Sequence, residues 1–448
     1  MARTDSDMTV GGIWRHLLLF SVPMALGLLF QQLYNMVDTL IVGQFVGKTA
    51  QAAVGSTGSI INTIVGFCAG LATGASVIIS QRYGAHDMKG LSLSVHTTIM
   101  MTIVISVIST ALGLLIIEPM LRFMRTPESV WDEARDYLNI YFSGVTGVLF
   151  YNMGSGILRA VGDSRRPLVF LLISAALNTV LDLLFVLQFK MGVRGVAYAT
   201  VIAQFVSALL ILAALSREHG AYGLRWRQLG IDRTTLWSIL RVGLPSSVQS
   251  AITAFSNVFV QSYINGFGSA CMAGYGIYNK LDAFVLIPVQ SISMSSTTFV
   301  GQNWGARNAK RAREGVRTAL IMSLISTAVL GTVVLILARE LLGFFSPEAE
   351  VVDYGARFLR IVTPFYLMIC FNQILSGALR GTGDATVPTV IMLGSFVVFR
   401  QIYLFVTNLL NMGFVSVALA YPMGWVVCST LLIIRYLRSP LGRGVSAA

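Results

Sequence analysis

Residues 30–47 read FQQLYNMVDTLIVGQFVG. The run belongs to an apolar stretch long enough to cross a bilayer, yet it carries a carboxylate, Asp38, at its middle. Burying a carboxylate at that depth costs several kcal/mol, so such a residue points to function. Gln31, Tyr34, Asn35 and Asp38 recur at spacings of three and four, which places them on one helix face. Lipid cannot solvate that polar stripe, so it must face protein or a water-filled cavity. The stripe is expected to line a solute pathway, with Asp38 as its switchable charge.

The composition extends the same reading to the whole chain. Of 448 residues, 55% are hydrophobic and only 12% are charged. The mean hydropathy is +0.73. A soluble domain carries about 25% charged residues, so an all-α polytopic membrane protein is expected, with no room for a large soluble domain. Twelve apolar spans of membrane-crossing length are predicted: 15–44, 51–80, 92–117, 137–158, 166–189, 194–216, 236–264, 270–300, 316–338, 356–378, 388–410 and 413–434. Pro23, Pro245, Pro288, Pro364 and Pro422 fall inside spans and mark kinks. The polar start, MARTDSDMTVGGIWRH, lacks the charged, apolar and cleavage pattern of a removable signal peptide.

The net charge of +12 does not imply nucleic acid, because the basic residues alternate between the two sides of the spans. With both termini on one side, twenty-one Lys and Arg residues fall there and nine on the other; Lys280 and Arg400 lie within spans. The excess assigns both termini to the cytoplasm, in a plasma (inner) membrane. Cys68, Cys271, Cys370 and Cys428 all sit in apolar segments without zinc-type or disulfide-type spacing, and are read as small buried hydrophobes.

The chain repeats itself at an offset of 221. QRYGA (81–85) answers QNWGA (302–306), GILRAVGDSRRP (156–167) answers GALRGTGDATVP (377–388), and MGVRGVAYA (191–199) answers MGFVSVALA (412–420). In span one the register slips by one: Pro23 answers Pro245, while Gly47 answers Gly268. Six spans return a chain to its starting side. The halves are therefore expected to be two pseudo-symmetric six-helix lobes, 1–216 and 236–448, joined by a cytoplasmic linker, 217–235, and related by an axis along the membrane normal.

The halves differ in their charges. Only Asp38, Asp182 and Asp282 lie well inside spans. Asn178 and Asp182 are four apart and share a face, and Thr200 offers a hydroxyl in the next span. At the repeat offset Asn178 falls on Phe399, Asp182 on Tyr403, Thr200 on Tyr421, and Asp38 on Phe259 or Val260. Ion coupling is thus expected in the first half. Ring faces that attract organic cations by about 0.5–2 kcal/mol each are expected in the second.

These residues resemble the multidrug and toxic compound extrusion (MATE) transporters over nearly the whole chain. VDTLIVG (37–43) after a proline-kinked start, SQRYGA (80–85) with GQNWGA (301–306), LRAVGD (158–163) with LRGTGD (379–384), and NTVLD (178–182) carry the resemblance. It implies a secondary antiporter of twelve helices that exports amphipathic, mostly cationic compounds in exchange for H⁺ or Na⁺. The chain looks like the DinF-like branch, in which Asp38, Asn178, Asp182 and Thr200 match the cation or proton site, and the same four would hold Na⁺ under sodium coupling. Gln31, Tyr34 and Asn152 match polar positions of the N-lobe cleft. The resemblance implies no cofactor beyond the coupling ion, and a monomer working in the lipid bilayer on small-molecule organic cations. The other branch keeps its essential acid in the C-terminal lobe, but span seven here has none.

Asp38 and Asp182, on different helices, are expected to meet inside the first lobe. Lys280 and Asp282 are two apart and point to different faces; they are candidate cleft residues, with structural polar contacts within the C-terminal lobe as the competing reading. GQFVGKT (43–49) imitates a nucleotide-binding loop but has three residues between its glycines instead of four, so ATP-driven transport is not expected. Nor is an enzyme, since His16, His86, His96 and His219 form no catalytic constellation. The rival within transport is a flippase for a lipid-linked precursor, which would need a cationic cavity for pyrophosphate.

Overall fold

The computed structural model describes residues 7–124 and 126–445, which form helices and turns and no strand. Among the described residues, ten helices are long and apolar enough to cross a membrane: α1 (Ile13–Val46), α2 (Ala53–Gly84, whose helix begins at Lys48), α3 (Met88–Phe123), α5 (Arg165–Gln188), α6 (Gly192–Ser216), α8 (Ser269–Gly305), α9 (Ala309–Ile336), α10 (Ala349–Gly381), α11 (Thr386–Leu409) and α12 (Gly413–Arg438). Two further passages complete the twelve. The fourth, α4, runs as Glu128–Ser143 and Val145–Ala160 and breaks at Gly144. The seventh, α7, is Arg233–Asn265. Each predicted span falls within or largely on one of these passages. Large side chains such as Val107, Leu115 and Ile336 are about 70% exposed, as on a surface that meets lipid rather than water.

The internal repeat is written into the backbone. His86 and Arg307 both take a positive φ (53° and 57°), as do Lys190 and Asn411 (53° and 51°). Gly47 answers Gly268, Gly162 answers Gly383, and Gly192 answers Gly413, all left-handed. Each pair keeps the offset read from the sequence. A left-handed non-glycine residue costs energy, so four of them at matched positions, together with six glycines that adopt such φ freely, reflect the same connections built twice. The repeated LR-x-x-GD motif explains itself in these terms. Gly162 and Gly383 make the turn. Asp163 then accepts from the amides of Arg165 and Arg166 (3.0 and 3.1 Å), and Asp384 from that of Val387 (3.4 Å). Asp163 pairs with Arg166, and Asp384 with Arg435 at 2.6 Å. The motif is a helix stop followed by a helix start.

The chain forms two compact units: the described residues up to Ala25 with those from Val248 onward, and Leu26–Ser247. These units do not end at span boundaries, as lobes 1–216 and 236–448 would. The chain passes between units inside α1 and inside α7, in each case shortly after a proline, Pro23 or Pro245. Met8, Leu17, Phe20 and Met24 therefore belong to an apolar core with Phe299, Val316 and Leu379. Gln302 Oε1 accepts the Met8 amide at 3.0 Å, and Asn303 Nδ2 donates to the Met8 carbonyl at 3.1 Å. This assigns the QNWGA motif a structural role: it anchors the lead-in to α1. In the other unit the start of α7 lies against α2, where Gly70 and Gly74 leave room for the backbone of Ser247 and Gly243.

In the turn between α2 and α3, Asp87 accepts the Gly90 amide at 2.9 Å and pairs with Arg82 at 2.6 Å. Its repeat partner Asn308 accepts the Arg311 amide at 3.1 Å. The Gly90 amide first, and then Arg82, hold the Asp87 carboxyl below its ordinary value. A lowered carboxyl stabilises the folded chain above its unfolded pKa, and the benefit disappears as pH falls through the folded value. Asp87→Ala is expected to cost about 1 kcal/mol near neutral pH. Thermal melts of the two proteins should still differ at about pH 4, the ordinary carboxyl value, and converge only as the pH falls further, through the lowered value.

All four cysteines are buried and unpaired with one another. Residues 43–49 form the end of α1 and the start of α2, with Gly47 (φ 120°) between them. Arg3 and Arg125 of the charge count, and the chain ends at 1 and 448, lie outside the described residues; the side chain of Lys48 does too.

Candidate functional site

Helix α1 presents its stripe to a cavity of about 380 Å³ within the unit Leu26–Ser247. Gln31, Tyr34, Asn35, Asp38 and Thr39 line it from α1, Asn62 from α2, Tyr137 and Tyr141 from α4, and Thr200 and Gln204 from α6. The spacing explains the convergence, since steps of three and four residues (Gln31 to Tyr34 and Asn35, these to Asp38 and Thr39, Tyr137 to Tyr141, Thr200 to Gln204) keep the liners of each helix on one face. Among the described residues, the cavity lining holds no lysine, arginine or histidine.

Behind Asp38 lies Asp182 on α5. Asn178 and Asp182 are both 0% exposed, and Thr200 is 5% exposed. The carboxyls of Asp38 and Asp182 approach within hydrogen-bonding reach of each other. Two carboxylates can only accept, so that hydrogen bond exists only when one carries a proton. In the ionised form Asp38 Oδ1 and both Asp182 oxygens have no partner, and Asn178 Oδ1 is also unpaired. Neither acid enters an ion pair among the described residues. Native interiors rarely leave such acceptors unsatisfied, and a cluster of them calls for an explanation.

The donors collect one step away. Tyr34 reaches both Asp38 and Thr200. Tyr137 reaches Thr200, and Tyr141 reaches Gln204. Asn178 Nδ2 sits 3.5 Å from Thr200 Oγ1. Thr200 is thus the junction where α1, α4, α5 and α6 share polar contacts. Thr200→Val should strand these groups, at about 1–3 kcal/mol, read as a lower unfolding temperature in detergent with the protein still monodisperse.

Both acid-bearing helices change their winding just past the acid. The last turn of α1, Val42–Val46, and the last turn of α5, Leu184–Gln188, are π-helical. Such turns are rare and concentrate at functional sites. They begin four residues after Asp38 and two after Asp182. Ile41, Val42 and Val186 then pack with Val193 and Val196 in one apolar cluster.

The remaining expected residues lie elsewhere. Asn152 does not line the cavity: its amide donates to the Val148 carbonyl of its own helix at 2.8 Å, and Val148 is the liner. Lys280 and Asp282 belong to the other unit. Asp282 accepts from the Tyr278 hydroxyl at 3.3 Å and lies within reach of Tyr366. Lys280 is exposed, with Nζ 5.8 Å from the centre of the Phe345 ring. Their two-residue spacing sends them apart, as expected of different helix faces. Arg400 is buried and answers none of the acids; it donates to Ser256 and Asn257 at 2.8 and 2.9 Å and lies 4.9 Å from the centre of the Tyr421 ring. Of the rings at the offset positions, Phe399 stacks on Tyr403, Phe259 is exposed, and Tyr421 joins a separate aromatic cluster. Tyr275 and Tyr421 share a 2.6 Å hydroxyl contact, and Phe358 packs on Tyr275, Tyr278 and Phe414. These rings mostly pack on one another in a core. The sequence reading missed Asn62, Tyr137, Tyr141 and Gln204; the four-residue steps from Tyr137 to Tyr141 and from Thr200 to Gln204 were the available signal.

The family model MatE matches the chain twice, over residues 23–184 and 245–406, in the register that pairs Pro23 with Pro245. The probable multidrug resistance protein YoeA of Bacillus subtilis is 30% identical, over 95% of this chain and 93% of its own length. YpnP of the same organism, also named a probable multidrug resistance protein, is 29% identical over 88% of each. Among solved structures, the outward-facing conformation of a multidrug resistance MATE family transporter of the MOP superfamily aligns with a TM-score of 0.92 at 23% identity, over 99% of both chains. At that identity the likeness concerns the fold.

Proposed function

Because the chain belongs to the MATE family, whose members are multi-pass membrane transporters and not enzymes, we propose that it exports amphipathic organic cations in exchange for protons by alternating access. The single observation that carries the reading is the carboxyl pair. Asp38 and Asp182 face each other with three oxygens unpaired and in no ion pair with a basic side chain among the described residues. Two charges of one sign in a shielded site repel strongly, so the pair is stable only when it holds a positive ion. A proton supplies the missing donor. Sodium would instead find hard oxygen ligands in Asp38, Asp182, the Asn178 carbonyl and Thr200, the chemistry hard cations prefer.

Coupling requires that the ion favour one arrangement of the transporter over another. Loading neutralises the acids and permits α1 and α5 to close on each other. Unloading restores the repulsion and favours their separation. Both helices carry a π turn next to the acid, and α1 changes units just after Pro23. A change at Asp38 therefore acts on a helix shared by both units. Organic cations suit a cavity lined by one acid, Asp38, and by tyrosines, with no basic liner among the described residues. The same lining disfavours a lipid-pyrophosphate cargo. A monomer in the inner membrane with both termini cytoplasmic fits the repeat and the charge asymmetry.

The test is efflux of a fluorescent organic cation from proteoliposomes under separately imposed gradients. A pH gradient alone should drive it, and an ionophore that collapses that gradient should stop it. Efflux driven by sodium alone would exchange the proton for Na⁺ at the same residues. Efflux indifferent to both gradients would end the antiport reading.

A further inference from the structure

We propose that the stretch Arg225–Arg241, leading into α7, is a binding site for anionic phospholipid headgroups. Arg225, Trp226, Arg227, Arg233, Trp237 and Arg241 are all exposed. Trp226 is 54% exposed and Trp237 is 70% exposed. On α7, Arg233, Trp237 and Arg241 step by four residues, so cation, indole and cation form one outward stripe. The opposite face, with Thr235, Ile239 and Val242, is buried.

The segment is held in place rather than loose. His96 Nε2 accepts the Arg225 amide at 3.0 Å, and Thr97 Oγ1 accepts the Asp232 amide at 3.1 Å. Trp226 Nε1 donates to Ser216 Oγ at 3.2 Å, and Tyr222 and Leu224 lie in the apolar core. The nearby acids are already engaged: Asp232 accepts the Thr235 amide at 2.8 Å, and Glu218 pairs with Arg166 at 3.2 Å. None of the four arginines enters an ion pair among the described residues. A fixed row of unpaired guanidinium groups interleaved with indoles, at the mouth of a membrane-crossing helix, matches the membrane interface. The indoles sit at headgroup depth, and the guanidinium groups reach lipid phosphate bidentately. Placement in the cytoplasmic leaflet follows from the orientation proposed above; the headgroup chemistry does not depend on it.

The experiment titrates the purified full-length protein in detergent with phosphatidylglycerol or phosphatidylcholine and follows its unfolding temperature. Phosphatidylglycerol should raise it saturably and phosphatidylcholine much less. Each arginine near a charged headgroup contributes about a fivefold preference. R225A/R227A should therefore shift half-saturation about 25-fold, while R225K/R227K should stay within a few-fold of wild type. As a second readout, brominated phosphatidylglycerol should quench tryptophan fluorescence more than brominated phosphatidylcholine does, and W226F/W237F should remove that difference. Equal action of both lipids, or a wild-type titration curve and undiminished selective quenching in the variants, would overturn the proposal.

Discussion

Asp38→Asn and Asp182→Asn should each abolish gradient-driven export while leaving the protein folded. Either change removes one charge of the pair and makes its loading permanent on that side chain. Losing an ion whose binding discriminates two arrangements by about 3 kcal/mol lowers coupled transport by roughly a hundredfold. Stability should not fall, because an asparagine amide supplies a donor to the carboxyl that lacks one. The check is paired: efflux from proteoliposomes, and the unfolding temperature of the same preparation. Lost efflux with an unchanged or higher unfolding temperature is the expected outcome. Normal efflux in both variants would sink the mechanism.

Gly74→Val should prevent the unit Leu26–Ser247 from assembling. A methyl group on Gly74 would fall 2.5 Å from the Gly243 amide nitrogen and 2.5 Å from the Ile239 carbonyl oxygen. Both are backbone atoms, so no rotamer change relieves the contact, and α2 and α7 must separate. Overpacking of this kind costs about 3 kcal/mol or more. Little folded, monodisperse protein should be recovered, as judged by size-exclusion chromatography. Gly276→Ala is the control: nothing lies within 4 Å of its added methyl group, and exchanging a helical glycine for alanine is neutral or favourable. Equal recovery of the two variants would show that the α2–α7 approach does not hold the unit together.

Much of this was legible in the sequence, for physical reasons. A membrane span must satisfy its own backbone, so length and hydropathy mark ten of the twelve passages outright. The other two are α4, broken at Gly144, and α7, whose apolar stretch is interrupted by Ser246, Ser247, Gln249, Ser250, Ser256 and Asn257. The repeat was visible because the same turns recur, and His86 with Arg307 and Lys190 with Asn411 show what was duplicated. Asp38, Asn178, Asp182 and Thr200 stood out because lipid excludes polar groups, and the structure brings the four together. Asn152 was assigned to the cleft by the resemblance, whereas here its amide caps the Val148 carbonyl of its own helix and Val148 is the liner. Lys280 and Asp282 were placed in a cleft by charge alone, yet Tyr278 and the Phe345 ring account for their surroundings. The sharing of α1 and α7 between units had no local signature except the two prolines.

The most direct test of the carboxyl pair counts protons. Purified protein in a weakly buffered detergent solution is mixed with a saturating organic cation, and a pH indicator follows the release. The account predicts about one proton released per protein by wild type, and none by the D38N/D182N double variant. Substrate that binds wild type without releasing a proton, at any sodium concentration and with no change in affinity on adding sodium, would contradict it.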